Sequence, residues 1–209
     1  MSRNKRRSRP LMNLISHDEQ LLKSLTLAVA NRPRATMKEL AQLVGVSKAT
    51  LHRYCGTREN LVLRLEDHAE GTLNLIIRSA GLLEREPLDA LRRLIRGHLD
   101  HRELLAFLMA QYRPDFLDLE QGGKRWLFYL EALDSFFLKG QHAGLFRIDI
   151  TAAILTELFI SLIYGLVDAE HRRRAANTDS ARILEQMFLN GALLGEEYRG
   201  RVPLLEETR

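Results

Sequence analysis

Residues 35–61 read ATMKELAQLVGVSKATLHRYCGTRENL, and the punctuation of this stretch decides the fold. Thr36 followed three residues later by Glu39 is a capping box, in which each side chain satisfies a backbone N–H that the helix start leaves open. It opens a short helix bearing Leu40, Ala41 and Val44. Gly45 breaks that helix, because glycine alone takes the left-handed turn at no steric cost. Ser47 caps a second helix, Lys48 to about Tyr54. Gly56-Thr57 interrupts again, and Thr57 caps a long helix running to about Ala80. Two short helices across a glycine turn match helix-turn-helix geometry. Leu40, Ala41, Val44, Val46 and Leu51 fall where the pair must pack, and Ala41 is small enough for close approach. That leaves Lys48, Ala49, Thr50, His52 and Arg53 facing outward. A recognition helix presents its first residues to base edges in the major groove, and its N-terminus favours phosphate.

On the N-terminal side, Ser16 and Glu19 form another capping box, expected to start a helix with Leu21, Leu22, Leu25 and Val29 on one face. Arg32-Pro33 ends it, since proline lacks the N–H and restricts its predecessor. Residues 1–15 read as a basic flexible arm. On the C-terminal side, Leu61, Leu65, His68, Thr72 and Leu75 follow helical spacing. Further helices are expected at 87–98, 101–112, 123–140, 148–170 and 179–193, with no strand-like alternation. The reading is all-α: a helix-turn-helix head over 16–62 and a helical ligand-binding and dimerisation bundle over 63–209.

The charge is asymmetric. Residues 1–70 hold 13 Lys/Arg against 7 Asp/Glu, whereas residues 71–209 hold 18 against 20. The basic end is the nucleic-acid candidate. Five of its cations lie in the arm (Arg3, Lys5, Arg6, Arg7 and Arg9), so placement rather than net charge carries the argument. One cysteine, Cys55, excludes an internal disulfide and fits a reducing cytoplasm. No apolar stretch follows the basic arm as a signal peptide requires. Ile150–Val167 reaches the lower length limit of a membrane span, but Glu157 near its middle costs about 2.5–3.5 kcal/mol on insertion scales. A buried interface helix is expected instead, with no membrane partner.

The Ala35–Leu61 pattern resembles that of the TetR family of transcriptional regulators. The resemblance extends through LISHDE, RPRAT, GVSKATLHR, CGTR, HREL, QYRPDFLD, YLEALD, FRIDITAA and LEQMFL, from about Met12 to Ala192. It implies a homodimer that represses by binding a palindromic double-stranded DNA operator, here of a multidrug-efflux operon, and releases it when a small apolar or amphipathic effector enters. His52 stands where the family often has Tyr, Cys55 where it often has Phe, and Arg58 where it often has a phosphate-touching Lys. On that basis Lys48, Thr50 and Ala49 read bases, while Thr36, Ser47, His52, Arg53, Thr57 and Arg58 hold phosphates.

In the bundle, aromatics suggest an apolar pocket between helices. Trp126 and Tyr129 combine large apolar faces with polar tips, with Phe107 beside them and His101 or Arg113 to orient a polar group. Thr156, Phe159, Ile163 and Leu166, with Leu184, Met187 and Phe188, form two apolar faces. A partner's copies could complete these into a four-helix bundle. A helical ligand-binding or interaction module with little specific DNA binding is the alternative. No nucleophile elbow or phosphate loop appears, so no enzyme and no cofactor are expected. His98 and His101 lack further matched ligands, so no metal site is expected. Cys55 is read as a packing residue, although Lys48 or Arg53 nearby could lower its pKa.

Overall fold

In a computed structural model of the protein, the structure describes residues 8–112 and 123–193. Among these it contains α1 (Ser8–Asn31), α2 (Met37–Leu43), α3 (Lys48–Cys55), α4 (Arg58–Ala80), α5 (Pro87–Leu99), α6 (Arg102–Tyr112), α7 (Leu127–His142), α8 (Ala152–His171) and α9 (Ser180–Ala192). A 3-10 turn, Gly123–Trp126, precedes α7. The only sheet-like pairing among the described residues is an isolated bridge between Phe146 and Leu193.

The helices form two compact units. The first holds residues 8–72 and 101–112. In it α6 packs on α1, and Leu25, Ala28 and Val29 are buried, as are Leu104, Leu105, Phe107 and Leu108. The second holds residues 73–100 and 123–193. This corrects the expected boundary at 62/63. The apolar face of α6 matches that of α1, so α6 belongs with the head although it lies about 40 residues beyond the expected boundary. The helix α4 runs through both units, because no breaker falls between Arg58 and Ala80.

Three local expectations change. α1 begins at Ser8 rather than at Ser16. Pro10 falls within its first turn, where the missing N–H has no intrahelical acceptor to lose. On α4 the buried face runs through Leu61, Leu65, Ala69, Thr72, Leu73 and Ile76, whereas Leu75 is exposed. α8 starts at Ala152 because Thr151 caps it, accepting the Ile154 N–H at 3.2 Å.

In the second unit α5 buries Leu91, Leu94, Ile95 and His98, the i, i+3, i+4, i+7 spacing of one helical face. The core centres on Phe137, whose ring lies 5.0–5.9 Å from those of Phe136, Phe146, Phe159 and Phe188. Such tilted and edge-on aromatic contacts add to the burial itself. Gly140 is required here: an added Cβ would lie 2.2 Å from the Phe146 ring. α8 is long and apolar enough to cross a membrane by length and composition, with only a third of its most apolar window buried. Its exposed apolar side therefore needs a function.

Candidate nucleic-acid interface

The turn between α2 and α3 forms as the sequence requires. Thr36 and Glu39 complete the capping box, with the Thr36 N–H donating to Glu39 Oε2 at 2.7 Å and the Glu39 N–H to Thr36 Oγ1 at 3.3 Å. The Thr36 backbone bond, and then its hydroxyl, hold the Glu39 carboxyl below the usual range. Gly45 takes φ +73°, and the Val46 N–H closes back on the Ala41 carbonyl at 2.9 Å. Leu40, Ala41 and Leu51 are buried between the two helices.

The recognition helix α3 is capped by Ser47, whose Oγ accepts the Thr50 N–H at 3.0 Å. Ser47 Oγ also shares a 2.8 Å bond with Thr50 Oγ1, so the Thr50 hydroxyl is engaged before any base arrives. Lys48, Ala49, His52 and Arg53 are exposed on α3, and Thr50 is half-buried. Thr57 caps α4, accepting the Asn60 N–H at 3.2 Å, and is itself exposed. These residues lie on and beside one exposed end of a rigid helix pair, the arrangement that presents a helix to a groove.

Two side chains have roles that the sequence reading missed. Arg58 turns back into the loop between α1 and α2, donating from Nε to the Ala35 carbonyl at 3.2 Å and from Nη2 to the Pro33 carbonyl. The sequence pointed to a phosphate contact for Arg58; the structure shows it holding that loop. The signal was present, since Pro33 and Ala35 offer carbonyls that no helix uses, but chain separation hid it. Arg64 lies over the Tyr54 ring, 5.0 Å from guanidinium to centroid, and fastens the end of α3 to α4. Cys55 is buried with Sγ donating to the Leu51 carbonyl at 3.2 Å. Burial raises its thiol pKa, and the opposing cation is Arg64 rather than Lys48 or Arg53. Cys55 therefore fills space behind α3.

The other expected residues scatter. Phe107 is fully buried in the first unit's core, and His101 belongs to that unit too, so neither lines a pocket in the second. Arg113 lies outside the described residues. Trp126 and Tyr129 are buried in the second unit. There Tyr129 Oη lies 2.6 Å from Nε2 of His98, whose Nδ1 is 2.7 Å from the Leu94 carbonyl. A carbonyl only accepts, so Nδ1 carries the proton, and in the neutral ring Nε2 accepts from the tyrosine. Burial, with the Tyr164 phenol secondary, raises the Tyr129 pKa well above its ordinary value. An open cleft of about 480 Å3 in this unit is lined by Ile77, Leu82, Phe128 and Ala132 among others, and by none of the expected effector residues.

The expected dimer residues are also corrected. Thr156, Phe159, Ile163, Leu184 and Phe188 are buried in the chain's own core, and Leu166 is half-buried; only Met187 is exposed. The buried residues lie on the inward faces of α8 and α9; an all-round apolar helix such as α8 has no polar side to mark its orientation. The exposed apolar set is Ile154 and Leu158 on α8 with Ile183 and Met187 on α9.

A capped recognition helix on a helix-turn-helix, joined by one long helix to an α-helical bundle, defines a DNA-binding transcriptional regulator. The chain is 66% identical over 181 residues to the HTH-type transcriptional regulator NfxB of Pseudomonas aeruginosa, covering 87% of this chain and 97% of that one. It is 30% identical over 97 residues to the HTH-type transcriptional repressor LfrR of Mycolicibacterium smegmatis, covering 46% of this chain and 50% of that one. Among solved structures, the TetR-like regulator LfrR from Mycobacterium smegmatis in complex with proflavine aligns with TM-score 0.65 at 20% identity, over 85% of this chain and 97% of that one. A TetR-family regulator from Rhodococcus sp. aligns with TM-score 0.63 at 14% identity, over 82% and 96%. The chain matches no protein-family model. It belongs to the TetR family of transcriptional regulators. Regulators of this family bind DNA operators as dimers and bind small effectors.

Proposed function

We propose that the protein is a ligand-responsive repressor that binds a palindromic operator as a homodimer in the cytoplasm and controls a multidrug-efflux operon. The observation that carries this is the exposed start of α3, where Lys48 and Ala49 face outward on a helix whose other side is fixed by Leu51 and Cys55. Lys48, Ala49 and Thr50 read bases; Thr50 does so after its hydroxyl is released from Ser47. Thr36, Ser47, His52, Arg53 and Thr57 hold phosphates. The similarity to NfxB over most of both chains supports the regulatory role. Two recognition helices of a dimer enter successive major grooves, about 34 Å apart.

The second copy covers Ile154, Leu158, Ile183 and Met187, which removes the apolar face of α8 and α9 from water. The effector binds inside the second unit near Trp126 and Tyr129. The His98–Tyr129 pair gives that apolar interior a polar point, and Thr156, one turn before Phe159, has a buried hydroxyl with no hydrogen-bond partner among the described residues. The effector acts by preferring one conformation over the other; the continuous helix α4 connects its unit to the head.

Fluorescence anisotropy with DNA from upstream of the protein's own gene, against scrambled DNA, tests the reading. Lys48→Ala relaxes sequence preference, whereas Arg53→Ala weakens binding to all sequences alike and makes the salt slope shallower by about 1 for each phosphate left unneutralised. Equal, salt-insensitive binding of wild type to both DNAs rejects the repressor reading and leaves the helical bundle as an interaction module. Proflavine, bound by LfrR, serves as a first effector probe.

A further inference from the structure

The loop between α1 and α2 is built more rigidly than a connection needs. Arg32-Pro33-Arg34-Ala35 is a tight turn with Pro33 at its second position, closed by the Ala35 N–H on the Arg32 carbonyl at 3.0 Å. Proline pre-sets the backbone angle that this position requires. The turn is tied to α1 through the Arg32 N–H and the Ala28 carbonyl, 3.0 Å apart. It is tied to α4 through Arg58, which grips the carbonyls on both sides of Arg34, those of Pro33 and Ala35. The turn leads directly into Thr36, the cap of α2.

Two arginine side chains project from this fixed backbone. Arg32 and Arg34 are both exposed and make no ion pair within 4 Å or side-chain hydrogen bond among the described residues, although the Arg32 charge adds a little to what holds the Glu39 carboxyl low. With Pro33, Ala35 and Glu39 they line an open cleft of about 370 Å3. A cationic pair on a rigid turn is preorganised: little backbone entropy remains to be lost when an anion binds. Its place beside Thr36, on the same head as α3, sets which anion it meets.

We infer that Arg32 and Arg34 form a second phosphate-binding site on the operator backbone, outside the recognition helix, and that Arg58 is the positioning residue that holds their turn in place. The inference rests on the DNA-binding reading and extends it. Guanidinium groups suit phosphate through paired N–H donors, and such contacts fix register without reading sequence. Arg58 acts through the turn rather than on phosphate itself.

The test is a salt-dependent anisotropy titration of the full-length protein on operator and scrambled DNA. Variants are Arg32→Ala/Arg34→Ala, Arg58→Ala and the triple combination. Because Arg32 and Arg34 are exposed, their removal leaves the head folded, which circular dichroism checks. The double variant binds both DNAs more weakly by the same factor, and its salt slope is shallower by about 3.6, or about 0.9 for each of the four arginines that a dimer supplies. Arg58→Ala weakens wild type but adds less than about twofold in the double-variant background, the non-additivity expected of groups acting as one unit. Three results overturn the proposal: an unchanged slope in the double variant, additive loss on removing Arg58, or a lowered melting temperature with intact DNA binding. The last would make the arginines a charge complement to the end of α1. If wild type itself shows no preference for operator, the DNA-binding reading fails instead.

Discussion

Ser47 shows how much one residue carries. It caps α3 and also holds the Thr50 hydroxyl, so the same oxygen stabilises the recognition helix and restrains one of the residues proposed to read bases. Ser47→Ala should destabilise the protein by about 1 kcal/mol, the usual cost of removing a cap, measurable by urea denaturation. An unchanged midpoint would show that α3 needs no cap. His68 ties stability to pH. Burial is the main cause holding its imidazole below the usual range, His101 adds to this, and Glu103 and Glu19 oppose it. The unfolded chain therefore takes up the proton at higher pH than the folded one. Stability is complete above about 6.5 and falls as pH drops below that value towards the folded pKa. Comparing urea midpoints at about pH 7.5 and 5.5 checks the sign, and His68→Gln should reduce the difference.

At the scale of elements, α8 and α9 show where sequence patterning gives out. Their existence follows from apolar spacing over 148–170 and 179–193, while the cap at Thr151 sets where α8 begins. Their orientation does not, because apolar residues surround α8 on nearly every side. Phe159 and Ile163 went inwards and Ile154 and Leu158 stayed out, a choice made by the Phe137 cluster. The exposed set gives a direct prediction. Met187→Lys, at a position 62% exposed in the single chain, should leave the monomer folded but place a charge in the proposed apolar contact between copies. Light scattering after size-exclusion chromatography should then show a monomer where wild type is a dimer. A variant that remains dimeric would move the interface elsewhere. Where polar punctuation was rich, as over 35–61, both the elements and their faces were legible: Leu40, Ala41 and Leu51 are buried, and Lys48, Ala49, His52 and Arg53 are exposed, as their spacing requires.

For the whole molecule, α4 is the one helix among the described residues that belongs to both units. Gly71 lies on its exposed side at the end of the first unit's segment, and an added Cβ there meets nothing within 4 Å. Gly71→Ala should stabilise the protein by about 1 kcal/mol, the difference in helix propensity, seen as a higher urea midpoint. A decrease would mean that the helix must bend at this point.

The sequence by itself determined α2 and α3, their caps, the glycine turn and the exposed end of α3. These depend on residues within a turn or two of one another, where hydrogen-bond and steric rules act locally. Only the tertiary structure decided that α6 joins the head, that Arg58 reaches back 23 and 25 residues to the Ala35 and Pro33 carbonyls, that His98 pairs with Tyr129, and which side of α8 stays exposed. Each is a contact between residues distant in the chain. It is fixed by which apolar faces fit together in the core, and spacing along a single helix carries no information about the surface that helix will meet.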